Sequence, residues 1–465
     1  MAILFSYRLY FFLALGLTFN SCYDSKADDY SAYFGGEVVN PKNKWMLFYK
    51  GDQLLDSIPL DKDNRFFKKF DSLTPGLYSF KHEPEFQYVY FDKNDSIMVR
   101  LNTYNFDESV VFCGKGDEKN NFLIEVYLKN QVDKSSMFPT FDLDESGFTH
   151  KADSSHQAIV DFYTTQKEAI QWNEEFDLIA KASVDYPYYT KREFYPVAHK
   201  RRNQKQTYAK LSGDYYNHRK SVDFDNPSLS NFWPYFQYIN TFIDNLANED
   251  NNGFFTDSKT VLKKLKIADS ITQNEWLKNK ISNTIAIRYL TEKESNYNDK
   301  EFLENYYKIS TDTDKKDEVK SLVEAIELLN NTGYLPQQNL KDKDGKTVSS
   351  NTIFTQKTIV YFWTKRYENH FFAVHKKLNA LLEKRPELNV IGICLDSDFE
   401  DQKVFWEKNK TNINPEIQHY WPTDLNELKS KWAVINITRA TVVDKNGKIS
   451  KAFVNIFDTT FSKEL

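Results

Sequence analysis

The chain has 465 residues, 40% of them hydrophobic and 16% aromatic, and a formal net charge of −5. That length allows about three domains and a substantial core. The 14 glycines are about half the usual share, which argues against repeat-type low complexity or disorder. Charges of both signs are interspersed and set up no field for nucleic acid phosphates, so DNA and RNA are not expected partners.

At the N-terminus, Arg8 precedes an apolar run from Leu9 to Phe19, long enough for the h-region of a signal peptide and too short to span a bilayer. The run ends in Phe19-Asn20-Ser21-Cys22, which resembles a bacterial lipobox. Ser21 is the small residue required before the cleavage site; Phe19 and Asn20 are bulkier than the commonest pattern. The resemblance implies a signal peptide over residues 1–21, diacylglyceryl attachment to Cys22 and a short lipidated tether over 22–32. An ordinary secretory signal with an incidental cysteine is the alternative. No later segment approaches 18 uncharged apolar residues, so lipid would be the membrane attachment.

Residues 33–116 alternate short runs of Val, Ile, Tyr and Phe with turn clusters such as Asp61-Lys62-Asp63-Asn64 and Thr74-Pro75-Gly76. A spacing of about ten residues predicts an antiparallel β-sandwich. Gly35-Gly36-Glu37, Pro75-Gly76-Leu77-Tyr78 and Asn94-Asp95-Ser96-Ile97-Met98-Val99 resemble the small β domain, of unknown function, that precedes thioredoxin-like domains in many Gram-negative envelope lipoproteins. Residues 117–334 shift to apolar spacings of three and four, predicting a central all-α region of six to eight helices. Breaks are expected at Pro139, Pro187, Asn226-Pro227, 248–253 and 295–298. The basic clusters Lys200-Arg201-Arg202 and Arg219-Lys220 read as solvated helix faces, and Asp142, Asp144 and Glu145 as a surface loop without the ligand count of a calcium motif. Phe232-Trp233-Pro234-Tyr235-Phe236 could stack a sugar, but its helical spacing favours core packing.

From residue 335 to 465 a β/α alternation returns, giving an α+β multidomain chain with a C-terminal α/β domain. The expected order is an entry hairpin over 342–348, a strand over 358–363, a helix over 371–382, a strand over 388–395, a helix through Trp406, and a hairpin turning at Asn446-Gly447. The run Thr358-Ile359-Val360-Tyr361-Phe362-Trp363, followed by the turn through His370, resembles the first core strand and catalytic turn of the thioredoxin-like superfamily, in particular the membrane-anchored TlpA-type disulfide reductases and redoxin-like lipoproteins. Counting forward from Phe362-Trp363 sets Tyr367 and His370 where the two thiols of Cys-x-x-Cys belong. Counting back six from Asp444 sets Thr438 where the family has a cis-proline; a cis bond before a non-proline costs about 2.5–4 kcal/mol, so a trans Ile437-Thr438 peptide is expected.

The chemistry of the family requires a low-pKa thiolate at the helix start and a second thiol to resolve the mixed disulfide. A phenol with an ordinary pKa of about 10 and an imidazole supply neither. The chain contains only Cys22, Cys113 and Cys394, with no pair close in sequence, and the last two read as buried structural thiols in different domains. Glu368 and His375 lie two and five residues from His370, offsets that share no helical face, so no metal is assigned. No nucleophile or orienting carboxylate stands at a spacing suited to general-base catalysis, and no G-x-S-x-G, phosphate loop or H-E-x-x-H occurs, so no catalytic residue or cofactor is assigned.

The sequence therefore reads as a lipid-anchored cell-envelope protein of a Gram-negative bacterium, on the periplasmic side or the outer membrane. Its degenerate thioredoxin-like site (Trp363, Tyr367, His370, Thr438) would make it a pseudoenzyme that binds or scaffolds an unknown protein or peptide. A thiol-disulfide oxidoreductase of the envelope is the competing expectation that the superfamily implies. Hydrolytic chemistry in the helical region and nutrient capture at the cell surface stay open.

Overall fold

The computed structural model of the chain describes residues 30–203, 211–248, 258–292, 300–396, 399–435, 437–458 and 461–465. The expected signal peptide, Cys22 and most of the expected tether lie outside the described residues, as do the helix breaks expected at 249–253 and 295–298. The chain divides into two compact units: one runs through Phe80 and resumes at Gln87–Asn121, the other takes Lys81–Phe86 and Phe122–Leu465.

Eight strands begin the chain: β1 (Ala32–Val39), β2 (Trp45–Lys50), β3 (Gln53–Pro59), β4 (Arg65–Phe70), β5 (Gly76–His82), β6 (Glu85–Phe91), β7 (Ser96–Asn102) and β8 (Val111–Lys115). They form two four-stranded sheets, β4-β1-β7-β8 and β3-β2-β5-β6. Period-2 alternation sends one face of each strand inward, and Phe34 meets Phe48, Phe66 and Phe80 at ring separations of 5.4, 5.2 and 5.5 Å. The sandwich is not purely antiparallel as expected: β1 and β7 pair in parallel, from Tyr33↔Ser96 to Val39↔Asn102. A parallel pair needs a long crossover, and the strands from β2 to β6 supply it. Cys113, on β8, is exposed rather than buried, because its strand turns one face to solvent.

The helical region contains α1 (Asp117–Met137), α2 (Glu145–Ile170), α3 (Glu174–Arg202), α4 (Trp233–Asn248), α5 (Ser258–Ile271), α6 (Glu275–Glu292), α7 (Lys300–Ile309) and α8 (Thr313–Thr332). Pro139 breaks the chain as expected, between α1 and α2. Pro187 does not: α3 runs through both Pro187 and Pro196. A proline inside a helix orphans the carbonyl four residues earlier. Here Asn130 Nδ2 donates to the Ser183 carbonyl at 3.1 Å, and Tyr215 Oη donates to the Arg192 carbonyl at 2.9 Å, so both orphans are satisfied from neighbouring elements. Caps close other ends: Asp144 accepts from Gly147 N at the start of α2, and Asn173 from Phe176 N at the start of α3.

The C-terminal region holds β9 (Asn339–Lys341), β10 (Thr347–Ser349), β11 (Thr358–Trp363), α9 (Glu368–Leu382), β12 (Asn389–Cys394), α10 (Phe399–Asn409), β13 (Gln418–Pro422), α11 (Leu425–Lys431), β14 (Arg439–Val443) and β15 (Ile449–Asn455). One seven-stranded sheet collects them in the order β10-β9-β13-β12-β11-β14-β15. β11, β12 and β13 are parallel, and β14 runs antiparallel to β11. Every residue of β11 is buried, as a strand covered on both faces requires. The inward stripe of α9, Phe371, Val374, Leu378 and Leu382, packs with β11 in one core, each side chain contributing about 1.5–3 kcal/mol. The β14–β15 hairpin turns at Asn446-Gly447, where Gly447 has φ +78° and Asp444 Oδ1 accepts from the Asn446 and Lys448 amides at 2.8 and 2.9 Å.

Candidate functional site

The turn that follows β11 is held from the end of the next strand. Leu395 N donates to the Trp363 carbonyl at 2.8 Å, which brings Asp396 under the turn. Thr364 Oγ1 donates to Asp396 Oδ1 at 2.8 Å and the Lys365 amide to Oδ2 at 3.0 Å. Thr364 Oγ1 then accepts from the Arg366 amide at 3.1 Å, starting a single 3-10 turn, Lys365–Tyr367, that leads into α9. Arg366 Nε lies 3.5 Å from Asp396 Oδ1, and its NH1 pairs with Glu83 at 2.7 Å. Tyr367 is the residue before the helix and gives no side-chain cap; Glu368 supplies the negative charge that suits the positive end of the helix.

Of the four residues singled out by sequence, Tyr367 ends this turn and His370 lies in the first turn of α9. Tyr367 is 48% exposed. His370 is half-buried, with its ring 5.7 Å from that of Phe457 and neither ring nitrogen hydrogen-bonded. Burial lowers its pKa, so the imidazole is neutral at pH 7. Thr438 stands just before β14; the Tyr361↔Ala440 register, continued two residues, sets it across from Trp363. The one cis peptide among the described residues is Glu83-Pro84, so Ile437-Thr438 is trans. Trp363 faces the core, fully buried against Phe371 at 5.1 Å and His419 at 5.6 Å, and is not part of an open surface.

Neither described cysteine serves the turn as a thiol pair. Cys394 is buried on β12, its Sγ 3.9 Å from Asp396 Oδ2, while Cys113 belongs to the other compact unit.

Two polar clusters escape a reading by motif. Beneath the sheet, Tyr361 Oη lies 2.8 Å from His375 Nε2, and the His375 and His419 rings stack at 5.3 Å. Burial pulls His375 down to about 4 and His419 well below its usual value, so both are neutral. Gly392 makes room for them: a Cβ there would stand 2.8 Å from the Tyr361 ring and 3.0 Å from His419 Nδ1. In the helical region, Glu193 is fully buried on α3 and accepts from His218 Nε2 at 2.9 Å, Arg219 at 2.8 Å to each oxygen, and Asn245 Nδ2 at 2.7 Å. Arg219 is thus a half-buried partner of a buried carboxylate rather than a solvated helix face. Likewise Arg202 grips Asp142 through two nitrogens at 2.6 and 2.5 Å, and Glu145 accepts from the Ser212 amide at 2.9 Å, so these acidic residues tie the helical region together. For His375, His419 and Glu193 the available signal is an imidazole or charged side chain at a buried position; Asp142, Glu145 and Arg202 are not buried and carry no such signal.

Three parallel strands with a helix after β11 and another after β12, completed by the antiparallel β14–β15 hairpin, constitute a thioredoxin-like fold. No protein-family model matches the chain, and no curated protein matches it in sequence. Solved structures do resemble it. The thioredoxin domain of a thiol-disulfide oxidoreductase from Bacteroides vulgatus aligns at 20% identity and a TM-score of 0.24, over 28% of this chain and 94% of that one. A thiol-disulfide oxidoreductase from Bacteroides fragilis aligns at 18% and 0.24, over 28% and 99%. A thiol:disulfide interchange protein from a Bacteroides species aligns at 21% and 0.21, over 25% and 76%. Fold alone does not carry the reaction of those proteins to this chain.

Proposed function

We propose that this is a lipid-anchored protein of the bacterial cell envelope in which the thioredoxin-like domain, stripped of its redox pair, binds an extended segment of a protein or peptide partner. The reading is supported by the side chains at the turn: an exposed Tyr367 and a neutral His370 stand where counting from Phe362-Trp363 puts the two thiols, on a backbone held by Asp396. A turn without a thiol pair can meet an extended chain but cannot exchange a disulfide with it. Anchoring through Cys22 rests on the lipobox-like sequence; among the described residues no helix is long and apolar enough to cross a membrane.

Photo-crosslinking tests the binding reading. With benzoylphenylalanine at position 367, irradiation of intact cells is expected to give one discrete adduct, whereas the same label at Leu328, exposed on α8, gives none. Absence of an adduct at 367, or equal adducts at both positions, contradicts it. Cys22→Ser is expected to move the protein from the membrane to the soluble fraction; retention in the membrane contradicts the anchor.

A further inference from the structure

The aromatic cluster Phe232–Phe236 divides in the structure. Phe232, Tyr235 and Phe236 are buried, but Trp233, the first residue of α4, is 53% exposed and stands with its ring 5.8 Å from Phe236 at the mouth of a cavity of about 230 Å³. The floor is apolar and buried: Phe236 from α4, Val261 from α5, Ile285 and Tyr289 from α6. The wall is polar and regular. Gln237, Asn240, Thr241 and Asp244 follow Trp233 at offsets of four, seven, eight and eleven, one stripe of α4, and Thr284 faces them from α6.

Four polar groups of that wall, Asn240, Thr241, Thr284 and Asp244, are oriented with an acceptor left over. Asn240 Nδ2 donates to the Phe236 carbonyl at 2.8 Å, which leaves its carbonyl oxygen; Thr241 and Thr284 donate to Gln237 O and Lys280 O at 2.9 and 2.8 Å, which leaves their oxygen lone pairs. Asp244 receives Lys264 on one oxygen at 2.7 Å and Arg288 on the other at 3.0 Å; a carboxylate has about four acceptor sites, so each oxygen can take one more proton. The two cations fix the carboxylate in a single orientation, which lowers the entropy cost of using it.

We infer that this cavity between α4, α5 and α6 is a binding site for a pyranose sugar, with Trp233 as the stacking platform and Asp244, Asn240, Thr241 and Thr284 as acceptors for its hydroxyls. A sugar ring presents one face of C–H bonds, which suits the electron-rich face of an indole, and a rim of hydroxyl donors, which suits a wall rich in acceptors. The cavity is smaller than the roughly 300–1,000 Å³ of sites for drug-sized ligands, so it accommodates one ring rather than a chain. The site is separate from the Thr364–His370 turn, and the outcome of the crosslinking experiment does not bear on it.

Saturation-transfer NMR on the purified chain with methyl β-glucopyranoside, methyl β-galactopyranoside and methyl α-mannopyranoside tests this. Transfer to the ring protons of at least one glycoside is expected. Trp233→Ala is expected to weaken that binding about tenfold or more. Thr241→Val, a shape-preserving change on the same stripe of α4, is expected to weaken it several-fold, and Trp45→Ala, which removes another half-exposed indole from the β unit, leaves it unchanged. No transfer from any of the three glycosides overturns the inference, as does transfer that survives Trp233→Ala or that Trp45→Ala diminishes equally.

Discussion

The two buried polar clusters of the second compact unit solve one problem in opposite ways. Glu193 keeps its charge in the helical interior because His218, Arg219 and Asn245 surround it with donors, which holds its carboxyl below the usual range against the opposing effect of burial. His375 and His419 receive no such support; the sheet interior strips them of charge, and Tyr361 is the one hydrogen-bond partner the pair has among the described residues. A charge is retained inside a protein when partners replace water, and otherwise it is discharged.

The largest effect expected from breaking this comparison is at Glu193. Glu193→Ala leaves Arg219 and its neighbours without their acceptor and should cost about 3–5 kcal/mol, read from chemical denaturation; a loss below about 1 kcal/mol would show that the network does not hold the helices. Gly392→Ala pushes a methyl group into Tyr361 and His419 and should cost about 1–3 kcal/mol, while an Ala at exposed Gly213, which has open space around it, costs far less.

The pH dependence sharpens the contrast. The folded pKa values of the two histidines lie below the ordinary 6.5, so their neutral forms stabilise the protein above that pH, and the contribution is lost as the pH falls from 6.5 towards 4. The Glu193 carboxyl is depressed below 4.5, so its contribution is present above 4.5 and disappears only as the pH falls through the lower, folded value. Melting temperatures between pH 7 and 5 should therefore fall by the equivalent of roughly 1 kcal/mol per pH unit per histidine at the steep part, and His419→Phe should flatten that slope. An unchanged slope in that variant would remove the sheet cluster from the account.

Smaller effects test the supports around the prolines and the exposed turn. Asn130→Ala orphans the Ser183 carbonyl that Pro187 has released and should cost about 1 kcal/mol by denaturation. Tyr367→Ala, at an exposed position, should change stability by less than about 0.5 kcal/mol.

The sequence was most legible where one rule acted alone. The all-apolar run of β11, the Asn446-Gly447 turn and the helical spacing of α9 each announce their element, and all three occur within a residue or a few of the expected bounds. The reading failed where a distant group overrode a local rule. Pro187 ends a helix unless something caps Ser183, and that cap comes from Asn130, 53 residues away. The parallel pairing of β1 with β7 depends on strands far apart in the chain, and no local pattern distinguishes it from an antiparallel partner. At the turn, the sequence supplied only a count from Phe362-Trp363 and from Asp444 to Tyr367, His370 and Thr438; the support from Asp396 and the burial of Trp363 come from packing. Arg219 and Lys220 looked alike in sequence, yet only Arg219 finds a buried carboxylate.

Reduction of insulin by dithiothreitol, followed by turbidity with and without the full chain, tests the proposed absence of redox chemistry most directly. With Tyr367 and His370 at the helix start, the rate should equal that of dithiothreitol alone. A faster rate that Cys394→Ser or Cys113→Ser abolishes would mean that a thiol outside the turn performs the exchange, and the redox-inactive reading would be wrong.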